Sequence, residues 1–151
     1  MTSGHRTSDS VRSWVPRDAA DARARVTEAF ARAGAGAGAG VGAGAGTGRS
    51  PSPTALGDAL LVTSELVSNA LRHGGGLTGF GVESDGGTVT ITVADTSGEL
   101  PHLTDARGRK RDFGPGEGGF GWPLIRLLAL EIRLCLLPQG GKTIEVRLPL
   151  R

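Results

Sequence analysis

Apolar residues recur with two different periods along the chain, and the longer period predicts helices. Between Ser52 and His73 they return every three or four positions, which predicts an amphipathic helix with one side against a sheet. Ser52 suits the cap of this helix, Pro53 its first turn, and the glycines after His73 its end. The same period predicts an earlier helix over residues 17–33 and a short late helix over 124–130.

The shorter period, in which apolar and polar residues alternate, predicts strands. Four segments share it: the surroundings of Phe80 and Val82, and residues 88–95, 132–137 and 143–150. Glycine-containing turns join the first strand to the second and the third to the fourth, as in hairpins. We therefore predict an α/β (α+β) two-layer sandwich. It has about three helices on one face of a mixed, largely antiparallel sheet of four to five strands.

Three segments have neither period. Residues 1–13 are polar and predict a flexible N-terminal tail, which leaves residues 14–151 as a single domain. Within that domain, glycine alternates with alanine over residues 34–50, and we interpret this stretch as a flexible linker insertion. Residues 102–118 are long, polar and rich in arginine, which is typical of a lid over a site; a solvated charged loop is the alternative.

Composition narrows the class of protein. The chain has 151 residues, 38% hydrophobic but 4% aromatic, so its core is aliphatic. Its 17 basic and 15 acidic side chains give a net charge of +2, too small to indicate nucleic-acid binding. No apolar run approaches the ~20 residues of a membrane span, and no secretory signal begins the chain, so we expect a cytoplasmic protein. Cys135 is the single cysteine, and we expect it to be buried in a strand.

The long central helix carries polar groups that packing does not require. Glu65, Asn69 and His73 lie four residues apart, which places them on one stripe of the helix. A carboxylate one turn before a carboxamide is a plausible general base beside an oxygen ligand for Mg²⁺. The alternative is an ordinary solvated helix face.

Two further stretches carry candidate chemistry. Asp95 ends a predicted strand and is followed by a turn, so its carboxylate is placed to accept a hydrogen bond from a ligand amino group. Taken alone, an aspartate at such a position more often caps the turn itself. Residues 114–121 are rich in glycine and run into the late helix, which allows the backbone to approach a phosphate. A flexible connector is the alternative there.

In this order, the three stretches resemble the nucleotide-binding boxes of the Bergerat-fold (GHKL) ATPases, which include gyrase, heat-shock chaperones, histidine kinases and mismatch-repair proteins. The resemblance covers residues 14–151 and is closest to the small bacterial branch of anti-sigma-factor serine/threonine kinases. Residues 65–74 look like the N box, 95–101 like the D-x-S-x-x-x-P form of the first glycine box, and Gly119-Phe120-Gly121 like the second. Gly141-Lys142-Thr143 stands where the family places a threonine near the adenine.

The resemblance implies ATP and Mg²⁺ as cofactors and a role for each matching residue. Asn69 would coordinate Mg²⁺, Asp95 would accept the adenine amino group, and Glu65 stands where the family has its general base. The remaining candidates all contact the nucleotide: Ser97 in the aspartate box, Gly119 and Gly121 under the phosphates, and Thr143 at the adenine. Ser97 replaces the glycine of gyrase, a substitution that is usual in the small branch.

The function implied is a serine/threonine kinase that phosphorylates a small anti-anti-sigma partner of the STAS type. That partner would alternate with a sigma factor, so the protein would regulate transcription by partner switching. Relatives often dimerise, so a homodimer is one expected state. Two alternatives remain open at this point: an ATP-gated binding module without significant turnover, and an interaction domain with a degenerate pocket.

Overall fold

The computed structural model describes residues 14–38, 50–73, 75–98 and 121–151. These residues form three helices and four strands in the order α1, α2, β1, β2, α3, β3, β4. The helices are α1 (Ala19–Gly38), α2 (Pro53–His73) and α3 (Gly121–Leu128). The strands are β1 (Leu77–Asp85), β2 (Thr88–Asp95), β3 (Glu131–Leu136) and β4 (Lys142–Pro149).

The four strands make one antiparallel sheet in the order β1-β2-β4-β3. Gly86 and Gly87, with φ of 56° and 111°, form the tight turn between β1 and β2, because only glycine adopts such angles at little cost. The two central strands, β2 and β4, pair along their whole length from Thr88 with Pro149 to Asp95 with Lys142. The predicted architecture of helices on a mainly antiparallel sheet is confirmed.

Helix α2 is the main element packed on the sheet. It begins as predicted, because the Ser52 hydroxyl accepts a hydrogen bond from the Ala55 amide at 3.0 Å and so caps the first turn. Its buried side is aliphatic and includes the fully buried Val62 and Val67, which pack among the buried residues of β2 and β4. Helix α3 packs against α2, and its Ile125 is fully buried in the same core.

The start of the described chain docks beside β1. Trp14 meets Phe80 edge to face, with ring centroids 5.7 Å apart, and its carbonyl accepts a hydrogen bond from the Phe80 amide at 3.1 Å. The Arg25 guanidinium of α1 lies 5.1 Å from the Trp14 ring centroid. Arg23 of α1 donates a hydrogen bond to Ser64 of α2 at 3.0 Å, so both helices are fixed to each other.

The structure corrects the predicted bounds of two helices. Helix α1 continues to Gly38, so residues 34–38 of the expected linker are helical; alanine propagates an existing helix well enough to carry the interspersed glycines. Helix α3 begins at Gly121 rather than at residue 124, with Pro123 in its first turn, where a missing amide costs nothing. It also ends at Leu128, two residues earlier than predicted.

The expectation of a buried Cys135 is wrong, because the thiol is exposed. Strand β3 lies at the edge of the sheet, and its alternation directs Arg133 and Cys135 to the open face, away from the helices. The predicted tail over 1–13, most of the linker, the lid over 102–118 and Gly119 lie outside the described residues. Within the described residues, no helix combines the length and apolar character that crossing a membrane requires.

Candidate nucleotide-binding site

The C-terminal end of α2 and the end of β2 come together through a tight turn. Gly75 and Gly76 follow the helix with φ of 70° and 115°, and a side chain at Gly75 would lie 2.5 Å from the Thr96 hydroxyl. The next residue, Leu77, starts β1 directly beside Asp95. The backbone thus places the last turns of α2 close to Asp95.

Asn69 supplies the first unusual feature of this junction. Its Nδ2 atom is buried and has no hydrogen-bond partner among the described residues. A buried donor without an acceptor costs about 1–3 kcal/mol, so such groups in folded proteins usually have a partner or a function. Glu65, one turn earlier on the same side of α2, is partly exposed and thus accessible from solvent.

Asp95 supplies the second feature, because its carboxylate is withdrawn from water with a side chain that is only 4% exposed. The Ser97 amide donates to Oδ1 at 3.0 Å, so Asp95 does cap its own turn. The Lys142 ammonium lies 2.9 Å from Oδ2 and 3.0 Å from Oδ1, and also donates to the Ser97 carbonyl at 3.2 Å. Asp95, Ser97 and Lys142 therefore form one connected polar cluster.

The structure does not bring Thr143 to this cluster. Across the central strands, Asp95 pairs with Lys142, whereas Thr143 pairs with Ala94. Side chains on a strand alternate between the two faces, and Lys142 shares the covered face with the buried Ile144. Thr143 consequently lies on the open face, and Lys142 occupies the position beside Asp95 on the covered face. The predicted contact of Thr143 with adenine stays a prediction.

Gly141 explains why β2 and β4 approach so closely at this point. Its φ is +89°, and a Cβ atom there would collide with the carbonyl oxygen of Asp95. A residue with a side chain would push the start of β4 away from Asp95 and open the cluster. Sequence reasoning missed Lys142, because its position opposite the end of β2 follows from the strand register.

The glycine-rich box is described only where α3 begins. Gly121 is the first residue of α3, and amides in a first helical turn lack acceptors within the helix, which favours anions there. Gly119 lies outside the described residues, so its contact with phosphate stays a prediction.

A scan against protein-family models supplies the deciding observation. The family described as histidine kinase-, DNA gyrase B- and HSP90-like ATPase matches residues 57–151, which is more than half of the chain. The chain belongs to this ATPase family. The matched span runs from the first turns of α2 to the C-terminus, so it contains Asn69, Asp95 and Lys142. Membership suggests ATP binding and an ATP-dependent activity or phosphotransfer. No curated protein matches the chain at a significant level.

The described residues of this ATPase-family domain fit a nucleotide. The buried Nδ2 of Asn69 has no acceptor among the described residues, and a phosphate oxygen is an acceptor of the required kind. Among the described residues there is no group of three His, Cys, Asp or Glu side chains that could hold a metal ion. Magnesium in nucleotide sites takes most of its ligands from phosphates and water, so a single protein oxygen at Asn69 is compatible with it.

A hollow on the ATPase-family domain lies on the open face of the sheet, opposite the helices. It has a volume of about 490 Å³ and is lined by side chains that include Thr88, Thr90, Glu131, Arg133, Glu145 and Arg147. Its two arginines are paired with Glu131, which contacts Arg133 at 2.8 Å and Arg147 at 3.6 Å. The hydrogen bond and positive charge of Arg133, helped by Arg147, hold the pKa of Glu131 below its usual range. None of the nucleotide motifs' buried polar groups faces this hollow.

Proposed function

We propose that this protein binds Mg-ATP where α2 meets the end of β2, and that it phosphorylates a serine or threonine of a small protein partner. The observation that carries the proposal is the carboxylate of Asp95, which is kept from water at the end of β2 beside the helix that bears Glu65 and Asn69. By its resemblance to the anti-sigma-factor kinases, the partner is an anti-anti-sigma protein of the STAS type, alternating with a sigma factor.

The base end of the site is Asp95. Among the described residues, three donated hydrogen bonds reach its two oxygens, two at Oδ1 and one at Oδ2. A carboxylate has about four lone-pair positions, so Oδ2 keeps one for a further donor. The exocyclic amino group of adenine is a donor that suits this position.

The phosphate end of the site is Asn69 together with the start of α3. The buried Nδ2 would donate to a phosphate oxygen, and the carboxamide oxygen would serve as the protein ligand of Mg²⁺. The positive end of the α3 dipole, at Gly121, adds favourable electrostatics for phosphate.

Glu65 is the residue that supports chemistry rather than binding alone. ATP supplies the phosphoryl group, and positioning with electrostatic stabilisation accounts for most catalysis of this kind. Glu65 would accept the proton of the partner's hydroxyl while that oxygen bonds to the γ-phosphorus. The bond from the γ-phosphorus to the bridging oxygen breaks, and ADP leaves with the electron pair. Glu65 is partly exposed, so a partner's side chain has access to it.

Calorimetric titration with ATP, with and without Mg²⁺, tests the binding part of the proposal. Asp95→Asn removes a charged acceptor, and such hydrogen bonds contribute about 1.5–3 kcal/mol, so we expect the ATP affinity to fall at least tenfold. Asn69→Ala should remove most of the gain in affinity that Mg²⁺ provides. Absence of saturable binding in the wild type would refute the proposal.

Two matched variants show whether those effects are local. Asp85→Asn changes the exposed aspartate that ends β1, and Ser68→Ala changes the neighbour of Asn69 on the same helix. Both should bind ATP within about twofold of the wild type, since neither belongs to the proposed site.

Phosphotransfer to a small anti-anti-sigma protein tests the chemical part. Glu65→Gln should keep the ATP affinity but lower the transfer rate by about 10²–10⁴-fold, the usual contribution of a general base. Asp58→Asn, two turns earlier on α2, serves as the control and should transfer at the wild-type rate. Undiminished regulation of the partner by Glu65→Gln would favour the alternative, an ATP-gated binding module without significant turnover.

A further inference from the structure

The contact between Lys142 and Asp95 is the least expected feature of the proposed site. The two side chains are only 6% and 4% exposed, and the ammonium reaches both carboxylate oxygens, at 2.9 Å and 3.0 Å. The sequence resemblance assigned no role to Lys142. A cation held against the acceptor that is to bind the base must affect how the base is bound.

The fold itself forces Lys142 into this position. The register of β2 with β4 sets Lys142 opposite Asp95, and strand alternation turns both side chains to the covered face. Gly141 allows the two backbones to approach there, because any side chain at 141 would collide with the Asp95 carbonyl. The ion pair is therefore built by the two central strands and does not depend on a surface loop.

Ser97 closes the arrangement on its other side. Its amide donates to Oδ1 of Asp95 and its carbonyl accepts from the Lys142 ammonium, at 3.0 Å and 3.2 Å. The carboxylate is thus held from two directions and cannot rotate without breaking these contacts. Of its acceptor positions, only one on Oδ2 is left by the described residues.

The desolvation cost of the Lys142–Asp95 pair indicates a role other than stabilising the fold. Removing an ammonium and a carboxylate from water is expensive, and apolar residues of similar size usually stabilise a fold at least as well. A carboxylate without a counter-charge in the same place would be more costly still. Lys142 supplies that counter-charge and so permits an acceptor of full negative charge at a position withdrawn from water.

We propose that Lys142 is a positioning residue that sets base specificity: it fixes the Asp95 carboxylate so that one acceptor position on Oδ2 faces the nucleobase. This inference rests on the proposed ATP site. A purine with an amino group at position 6 offers a donor to that oxygen. A purine with a keto group at position 6 offers an acceptor there and is rejected.

The ratio of ATP affinity to inosine triphosphate affinity measures this contact directly. The two nucleotides share their phosphates and ribose and differ in the group at position 6, so effects on the phosphate end cancel in the ratio. In the wild type we expect ATP to bind at least tenfold more tightly. Lys142→Met, which removes the charge at similar length, should lower the ratio at least fivefold. Lys142→Arg keeps the charge on a side chain of different length, and its affinity ratio should lie between those of the wild type and Lys142→Met.

Arg147→Met is the matched control, because it removes a positive charge from the same strand on the open face. Its ratio should equal that of the wild type. Should Lys142→Met fail to fold, Lys142→Arg carries the test alone, and we expect its ratio to fall at least twofold.

Three results would overturn the inference, and they differ from one another. An unchanged ratio in both Lys142 variants would make the ion pair purely structural. Tighter ATP binding by Lys142→Met than by the wild type would make Lys142 a competitor of the base. Absence of nucleotide binding by the wild type would end the proposed function as well, whereas the first two outcomes leave that function standing.

Discussion

Two ion pairs join neighbouring strands on opposite faces of the same sheet, and they differ in their exposure to water. Lys142 and Asp95 meet at 2.9 Å on the covered face, with side chains 6% and 4% exposed. Arg147 and Glu131 meet at 3.6 Å on the open face, 50% and 39% exposed. Burial raises both the cost of desolvation and the cost of losing one partner, while exposed pairs contribute little. The covered pair lies at the nucleotide motifs, which is where such a cost has a functional explanation.

The largest effect should come from removing one member of the covered pair. Lys142→Met leaves the Asp95 carboxylate buried without its counter-charge, so we expect the free energy of unfolding to fall by about 3–5 kcal/mol. Arg147→Met on the open face should change it by less than about 1 kcal/mol. Urea unfolding at neutral pH measures both values. Equal losses in the two variants would contradict the comparison.

Replacing both members of the covered pair separates stability from function. Asp95→Leu combined with Lys142→Met leaves no buried charge, so its stability should return to within about 1 kcal/mol of the wild type or exceed it. The same double variant should bind ATP no better than Asp95→Asn does. A double variant as unstable as Lys142→Met would show that the fold needs the pair itself.

The next effect concerns the glycines that bring β4 against β2. Gly140 and Gly141 have similar φ, 93° and 89°, but a side chain at 140 meets nothing within 4 Å, whereas one at 141 strikes the Asp95 carbonyl. Gly140→Ala should therefore cost about 1–2 kcal/mol for backbone strain alone. Gly141→Ala should cost at least about 1 kcal/mol more, since overpacking adds typically 1–3 kcal/mol. Urea unfolding of both variants checks this difference, and equal losses would contradict the close approach.

The sequence predicted the elements whose signals are local. The period of the apolar residues predicted α2. Ser52 predicted its start, because the cap hydrogen bond spans only three residues and is therefore visible in the local sequence. Alternation gave β2 to its last residue, Asp95. The end of α1 was missed since a glycine-alanine repeat has no apolar stripe by which to judge where helix stops. Cys135 was misjudged because alternation alone does not reveal that β3 is an edge strand.

The candidate site was predictable only in part, for the same reason. Asn69 and Asp95 were singled out within motifs, and the structure places their elements side by side through Gly75 and Leu77. Lys142 was missed, because the face that it occupies depends on the register of β4 against β2. A shift of one residue exchanges the two faces, and register is a long-range property that a short motif does not encode.

The smallest effect is expected on the open face and should depend on pH. Arg133, by its hydrogen bond and charge, and Arg147, by its charge, lower the pKa of Glu131 below its ordinary value of 4.5. A carboxyl group whose pKa is lower in the folded state stabilises the fold above its unfolded pKa. It loses that contribution as the pH falls through the lowered value. The difference in melting temperature between the wild type and Glu131→Gln should thus be small at pH 7. It should disappear as the pH falls below ~4.5.

Melting temperatures at high salt should also distinguish the ion pair on the open face from the pair on the covered face. Because the Debye length falls to ~3 Å at 1 M salt, the melting-temperature difference for Glu131→Gln at pH 7 should shrink there. The larger difference for Lys142→Met should persist, since a pair withdrawn from solvent is screened much less. A Glu131→Gln difference that stays constant with both pH and salt would show that Glu131 acts through packing and not through charge. In that case charge would contribute to stability at the covered pair alone of the two.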